Sequence, residues 1–184
     1  MTDTACGREG RGFCLSLSMA PDEVFGLEPA SRPGGGTDAV AALERHLAAQ
    51  EALSSKLGLF ADRLPDAFDG PECLYLARSI YPALQKAHAF EEAELFPLLR
   101  RNSAERADLS LTLDRLTFEH FEDETFAEEL VDTLVDHVCG RMPTRFAMLR
   151  TMLRSFCEGI SRHLAFERAH LVPMLRQLEN AGHA

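Results

Sequence analysis

The sequence predicts an all-α protein, an up-down-up-down four-helix bundle. From Thr37 onward apolar residues recur at helical spacing, and no segment alternates like a strand. The periodic stretches are long and separated by short breakers such as Pro65-Asp66, Asp69-Gly70 and Gly140. Connections of a few residues between long helices force neighbours to run antiparallel.

Residues 1–36 read as an N-terminal arm: they hold seven of the twelve glycines and end in Arg32-Pro33-Gly34-Gly35-Gly36. Val24-Phe25-Gly26-Leu27 is a candidate docking segment within it. Residues 37–184 form the bundle. The first helix is predicted over residues 38–64, stopping at Pro65-Asp66. The second spans 71–101, with Pro71 suited to a first helical position. The third runs from 103 or 104 to 139, ended by Gly140. The fourth covers 143–178, with Pro173 as a candidate kink.

Composition excludes several classes. The net charge of −10 argues against holding nucleic acid or an anionic membrane by electrostatics. No apolar run approaches the ~18 residues of a membrane span. Five cysteines, odd in number, scattered and without a CxxC pair, do not form a disulfide framework. A soluble cytoplasmic protein is expected.

The interior seams carry the functional signal. The first helix reads Leu43, His46, Gln50, Leu53, Leu57, Phe60, Leu64. The second reads Tyr81, Leu84, His88, then Glu91 or Glu92, then Leu95. The third reads Leu113, Leu116, His120, Asp123 or Glu124, Ala127. The fourth reads Phe156, Ile160, His163, Glu167, Leu171. Each seam therefore holds one histidine, and in three helices a carboxylate follows one turn later. A lone buried histidine is usually a packing residue, but four at one level are not. His46 lies 18 residues before Leu64, and His88 lies 17 after Pro71. His88 is 13 before Arg101, and His120 is 16 after Ala104. His120 is 19 before Cys139, and His163 is 20 after Pro143. A three-residue mismatch is only about 4.5 Å of helix, so all four share one cross-section. Burying such a layer is costly unless a common partner binds it.

Imidazoles and carboxylates without thiolates suit iron, manganese or zinc. Four histidines with two or three glutamates exceed one tetrahedral zinc and match a carboxylate-bridged pair of metals. Ferritin-like bundles place histidine three residues after glutamate; here histidine precedes.

These residues resemble the hemerythrin-like family of bacterial HHE cation-binding domains, from about Val40 to Leu178. The resemblance rests on His46 with His88-Ala-Phe-Glu-Glu-Ala-Glu-Leu-Phe-Pro97, and on His120 with His163-Leu-Ala-Phe-Glu-Arg-Ala-His-Leu-Val-Pro173. The two histidine intervals, 42 and 43 residues, support two half-repeats. The resemblance implies a non-haem centre of two iron ions held by His46, His88, Glu92, His120, His163 and Glu167. The interval from His88 to Pro97 is one residue shorter than that from His163 to Pro173. Alignment on the trailing motif selects Glu91, whereas the HxxxE spacing selects Glu92, the residue preferred here.

Oxygen-carrying members have HxxxH in the third helix, where this chain has His120 with Glu124. An added carboxylate favours the ferric state, so sensing or handling of oxygen, nitric oxide, peroxide or iron is expected rather than oxygen carriage. The competing classes are a di-iron enzyme with peroxidase-, catalase- or iron-centre-repair activity, and a zinc-binding structural bundle. With no output domain expected, any signal would pass to a protein partner through the arm or the acidic third helix. Residues 119–136 of that helix hold eight acidic residues and no Lys or Arg. His170 is expected at the rim, His137 as a helix-end cation, and Tyr81 in the core.

Overall fold

A computed structural model describes residues 37–102, 107–141 and 145–182. Among them there is no strand: α1 spans Thr37–Arg63, α2 Gly70–Phe90, a π-helical turn Glu91–Leu95, α3 Phe96–Asn102, α4 Ala107–Val138 and α5 Phe146–Gly182. The backbone stays helical from Phe90 through Phe96, so α2, the π turn and α3 form one rod, and the bundle has four rods. The arm, the expected start of the third helix at residues 103–104 and that of the fourth at Pro143-Thr144 lie outside the described residues. No described helix is long and apolar enough to cross a membrane.

The ends of the helices follow from their residues. Asp69 caps α2, its Oδ1 accepting the Glu72 N–H at 2.7 Å, with Pro71 directly behind it. α4 ends where Gly140 turns to φ 64°; the Arg141 and Gly140 N–H groups then reach back to the carbonyls of Asp136 and His137. That left-handed turn suits a residue without a Cβ. α5 continues through Pro173 without interruption.

α1 packs on α2 and α5, and α4 packs on the same two, so α1 and α4 sit diagonally. Arg154–Asp62 at 2.6 Å, Arg168–Glu51 at 2.6 Å and Arg176–Glu44 at 2.7 Å fix the antiparallel register of α5 on α1. These exposed pairs contribute little energy each; burial supplies it. Leu53, Leu57, Phe60, Ile80, Leu84, Leu130, Leu134, Leu153 and Phe156 fill one end of the core. Leu43, Leu47, Leu95, Leu99, Leu113, Leu171 and Leu175 fill the other. α4 leaves Leu111, Phe118 and Phe121 on its outer face. The three described thiols are free, and burial pushes Cys73 up to about 12.

Candidate metal centre

Between the two apolar ends lies a polar layer. His88 comes from α2, Glu91 from the first position of the π turn, His120 from α4, and His163 with Glu167 from α5. All five are buried, and Glu91 and Glu167 have no exposed surface. One nitrogen each from His88, His120 and His163 lie within 4.8 Å of one another, as do donor atoms of Glu91, His120, His163 and Glu167. His163 and Glu167 are neighbours through ordinary i,i+4 geometry.

On α2 the same task needs a different backbone. A uniform α-helix leaves Glu91 and Glu92 equally far from the seam. It would also rotate Glu91, Leu95 and Leu99 apart by about 80° over eight residues. The wider π turn accommodates nearer four residues per turn, so Glu91, Leu95 and Leu99 all face inward and buried. Glu92 is thereby carried outward, with 41% of its side chain exposed.

The imidazoles are oriented from outside the layer. His88 Nδ1 contacts Glu124 Oε1 at 2.9 Å, and His120 Nδ1 contacts Glu92 Oε1 at 2.8 Å. With Nδ1–H donated to a carboxylate, each ring turns its Nε2 lone pair inward. The His88 and His120 rings stack with centroids 4.0 Å apart, and Phe96 lies 5.7 Å from His120 on an almost parallel plane. His163 Nδ1 stands 3.6 Å from Asp123 and 3.7 Å from Glu119, both beyond hydrogen-bond length.

Inside the layer, His120 Nε2 lies 3.1 Å from Glu91 and His163 Nε2 lies 3.4 Å from Glu167, but neither contact is aligned as a hydrogen bond. His88 Nε2, His120 Nε2, both His163 nitrogens and all four oxygens of Glu91 and Glu167 are buried without a hydrogen bond. Native interiors rarely leave so many polar atoms unmatched. A cation at their common centre satisfies them together, so the donor set fits a metal of the iron, manganese or zinc type.

The electrostatics agree. Burial, then the repulsion of His120 and His163, lowers His88 to about 2, leaving a neutral ring. Burial also lowers His120, against the pull of Glu92. Burial and then the Glu167 charge raise Glu91 well above the ordinary carboxylate range. Glu167 is held low because His163 and Glu91 outweigh its burial, and His163 is raised by Glu167 despite its own burial. Burial thus pushes Glu91, His88 and His120 toward their uncharged forms, while Glu167 and His163 each favour the other's charged form.

The structure brings together four of the six predicted ligands: His88, His120, His163 and Glu167. Glu91 takes the inward position expected of Glu92, because the π turn shifts the helical phase by one residue. Glu124 does not join the inward donors either, and orients His88 instead. His46 is half-buried, stacked on Phe90 at 5.0 Å, and lowered by burial and then Lys86. His170 is exposed against Phe166. Tyr81 packs against the core. His137 is the basic residue in the last turn of α4, as expected, and is buried there: Nδ1 meets the Thr133 carbonyl at 2.8 Å and Nε2 the Arg145 N–H at 3.4 Å, closing the α4–α5 corner. Sequence reading assigned no role to Gln50. Its signal was an amide in an apolar seam, four residues after His46.

Searches of curated proteins and of solved structures return no match. The family model of the hemerythrin HHE cation-binding domain matches residues 37–175, which takes in the first three rods, α5 as far as Leu175 and every residue of the polar layer. The chain therefore belongs to the hemerythrin HHE cation-binding domain family.

Proposed function

We propose that this domain holds a non-haem pair of iron ions bridged by carboxylates, and that it senses or handles oxygen, nitric oxide, peroxide or iron rather than carrying oxygen. The observation that carries the reading is the buried set of inward donor atoms without hydrogen bonds on His88, His120, His163, Glu91 and Glu167. Five side chains offer more donors than one tetrahedral ion takes up. His46 is the sixth protein ligand in this reading, its neutral ring swinging from Phe90 toward Glu167, whose charge it already feels. A bound iron pair would supply redox chemistry toward small ligands there.

The chain's own residues bias that chemistry. Glu124 on His88 and Glu92 on His120 make both imidazoles stronger electron donors. Stronger donors favour the more oxidised metal, which opposes reversible oxygen carriage. The preference expected from an extra carboxylate ligand thus returns by another route, through hydrogen bonds to the rings.

Metal analysis of protein purified from its own host, with an optical spectrum, tests the proposal. Two irons per chain with the near-ultraviolet charge-transfer bands of a ferric pair support it. One zinc and no colour overturn it, as does a stable reversible oxygen adduct of the reduced protein.

A further inference from the structure

Gln50 is an unexplained residue. It sits in the α1 seam with only 2% of its surface exposed, and neither its Nε2 nor its Oε1 has a hydrogen-bond partner. Burying an unpaired amide is unfavourable, and apolar residues that fill such a position avoid that cost. Its level is fixed from two sides. Its neighbour Glu51 pairs with Arg168, the residue after Glu167, so Gln50 lies level with Glu167 on the inner side. His46, one turn earlier, stacks on Phe90, which places Gln50 beside the His88 turn of the antiparallel α2. The clustered donor atoms come from α2, the π turn, α4 and α5, and none comes from α1. With His46 stacked on Phe90, α1 contributes no atom to the cluster, and Gln50 stands on that side one turn from the place His46 takes up as a ligand in the reading above.

We infer that Gln50 is a positioning residue that hydrogen-bonds, through its carboxamide N–H, a small anionic or peroxidic ligand entering the centre on the α1 side. This rests on the metal-centre reading above. The amide stays uncharged at every working pH and can donate to an anion without competing for the metal as an imidazole would.

The test uses the full-length, iron-loaded protein with azide as probe, comparing wild type with Gln50→Leu and Gln50→Met. Azide affinity is expected to fall about tenfold in both variants, as for one hydrogen bond to a charged acceptor. The infrared stretch of bound azide should shift, iron content should stay unchanged, and the metal-free variants should melt no lower than wild type. Wild-type azide affinity in the variants overturns the inference, as does loss of iron, which would make Gln50 a ligand. A metal-free variant that melts lower also overturns it, by giving the amide a structural partner. If wild type itself binds neither iron nor azide, the metal-centre reading fails instead.

Discussion

Glu91 and Glu92 are adjacent in sequence and chemically identical, yet their substitutions should have different consequences. Glu91 faces the donor atoms with no exposed surface, while Glu92 holds His120 from outside. At a free metal concentration about 1,000 times Kd, binding stabilises the folded state by about 4 kcal/mol. For a domain of this size, that raises the melting temperature by roughly 12 °C. Glu92→Gln loses only the orientation of one ring, which typically costs about 10- to 100-fold in affinity. That corresponds to about 1.4–2.7 kcal/mol, so roughly half the thermal shift should remain. Glu91→Gln removes an inward donor and should abolish the shift at the same concentration. Without metal the order reverses. Glu91 is held protonated in the folded state by burial and by Glu167, whereas the unfolded chain ionises it near pH 4.5. Above that pH the folded state binds the extra proton, and stability falls as pH rises. Metal-free Glu91→Gln should therefore match wild type at low pH and exceed it at neutral pH. Differential scanning calorimetry with and without metal, at two pH values, reads all of this. If Glu92→Gln eliminated the metal-induced shift and Glu91→Gln preserved it, the π-turn argument would be wrong.

Three further outcomes follow from the same geometry. Chelation should leave the far-ultraviolet circular dichroism of the domain unchanged, because apolar core flanks the layer at both ends; a collapsed helical signal would favour a structural zinc. Metal loading should release protons, since Glu91 and His163 are both raised and ligands bind deprotonated. Affinity should accordingly fall as pH falls, and calorimetry in two buffers of different ionisation enthalpy should give different apparent heats. Finally, His46→Ala should reduce two bound metals to one without lowering the stability of the metal-free fold, whereas His163→Ala should lose both. Metal content after desalting checks this, and two metals retained in His46→Ala would remove that residue from the ligand set.

The four rods were legible because they are written in long, redundant signals. The α1 seam repeats a leucine or phenylalanine every turn, and Asp69-Gly70-Pro71 marks the start of α2 within one residue. The shared level of His88, His120 and His163 was legible too, since helix rise and loop length fix it by counting, whereas His46 stands outside their cluster against Phe90. The choice between Glu91 and Glu92 was not, because helical-wheel reasoning assumes a constant 3.6 residues per turn. One wider turn changes the phase of everything after it, and nothing in Glu-Glu-Ala-Glu-Leu announces it. The one-residue difference between the His88–Pro97 and His163–Pro173 intervals was the trace of that irregularity. The pairing of Glu124 with His88 was hidden for another reason: it crosses between two rods, and the sequence gives the level of each but not the reach of the side chains.

Why the protein tolerates such a layer follows from where it sits. Each buried polar atom without a partner destabilises the metal-free fold by an amount comparable to a lost hydrogen bond. Those atoms lie between two stacks of leucine, isoleucine and phenylalanine that are closed without them. The stacks fix the rods, and the rods then hold His88, His120, His163, Glu91 and Glu167 in place whether or not they are satisfied. The outer carboxylates complete this arrangement by setting the ring orientations in advance. A cation therefore meets donors already aimed at it, and the energy of unmatched burial is returned as affinity. Relieving the layer by apolar substitution would make a more stable bundle, and the same change would remove the centre.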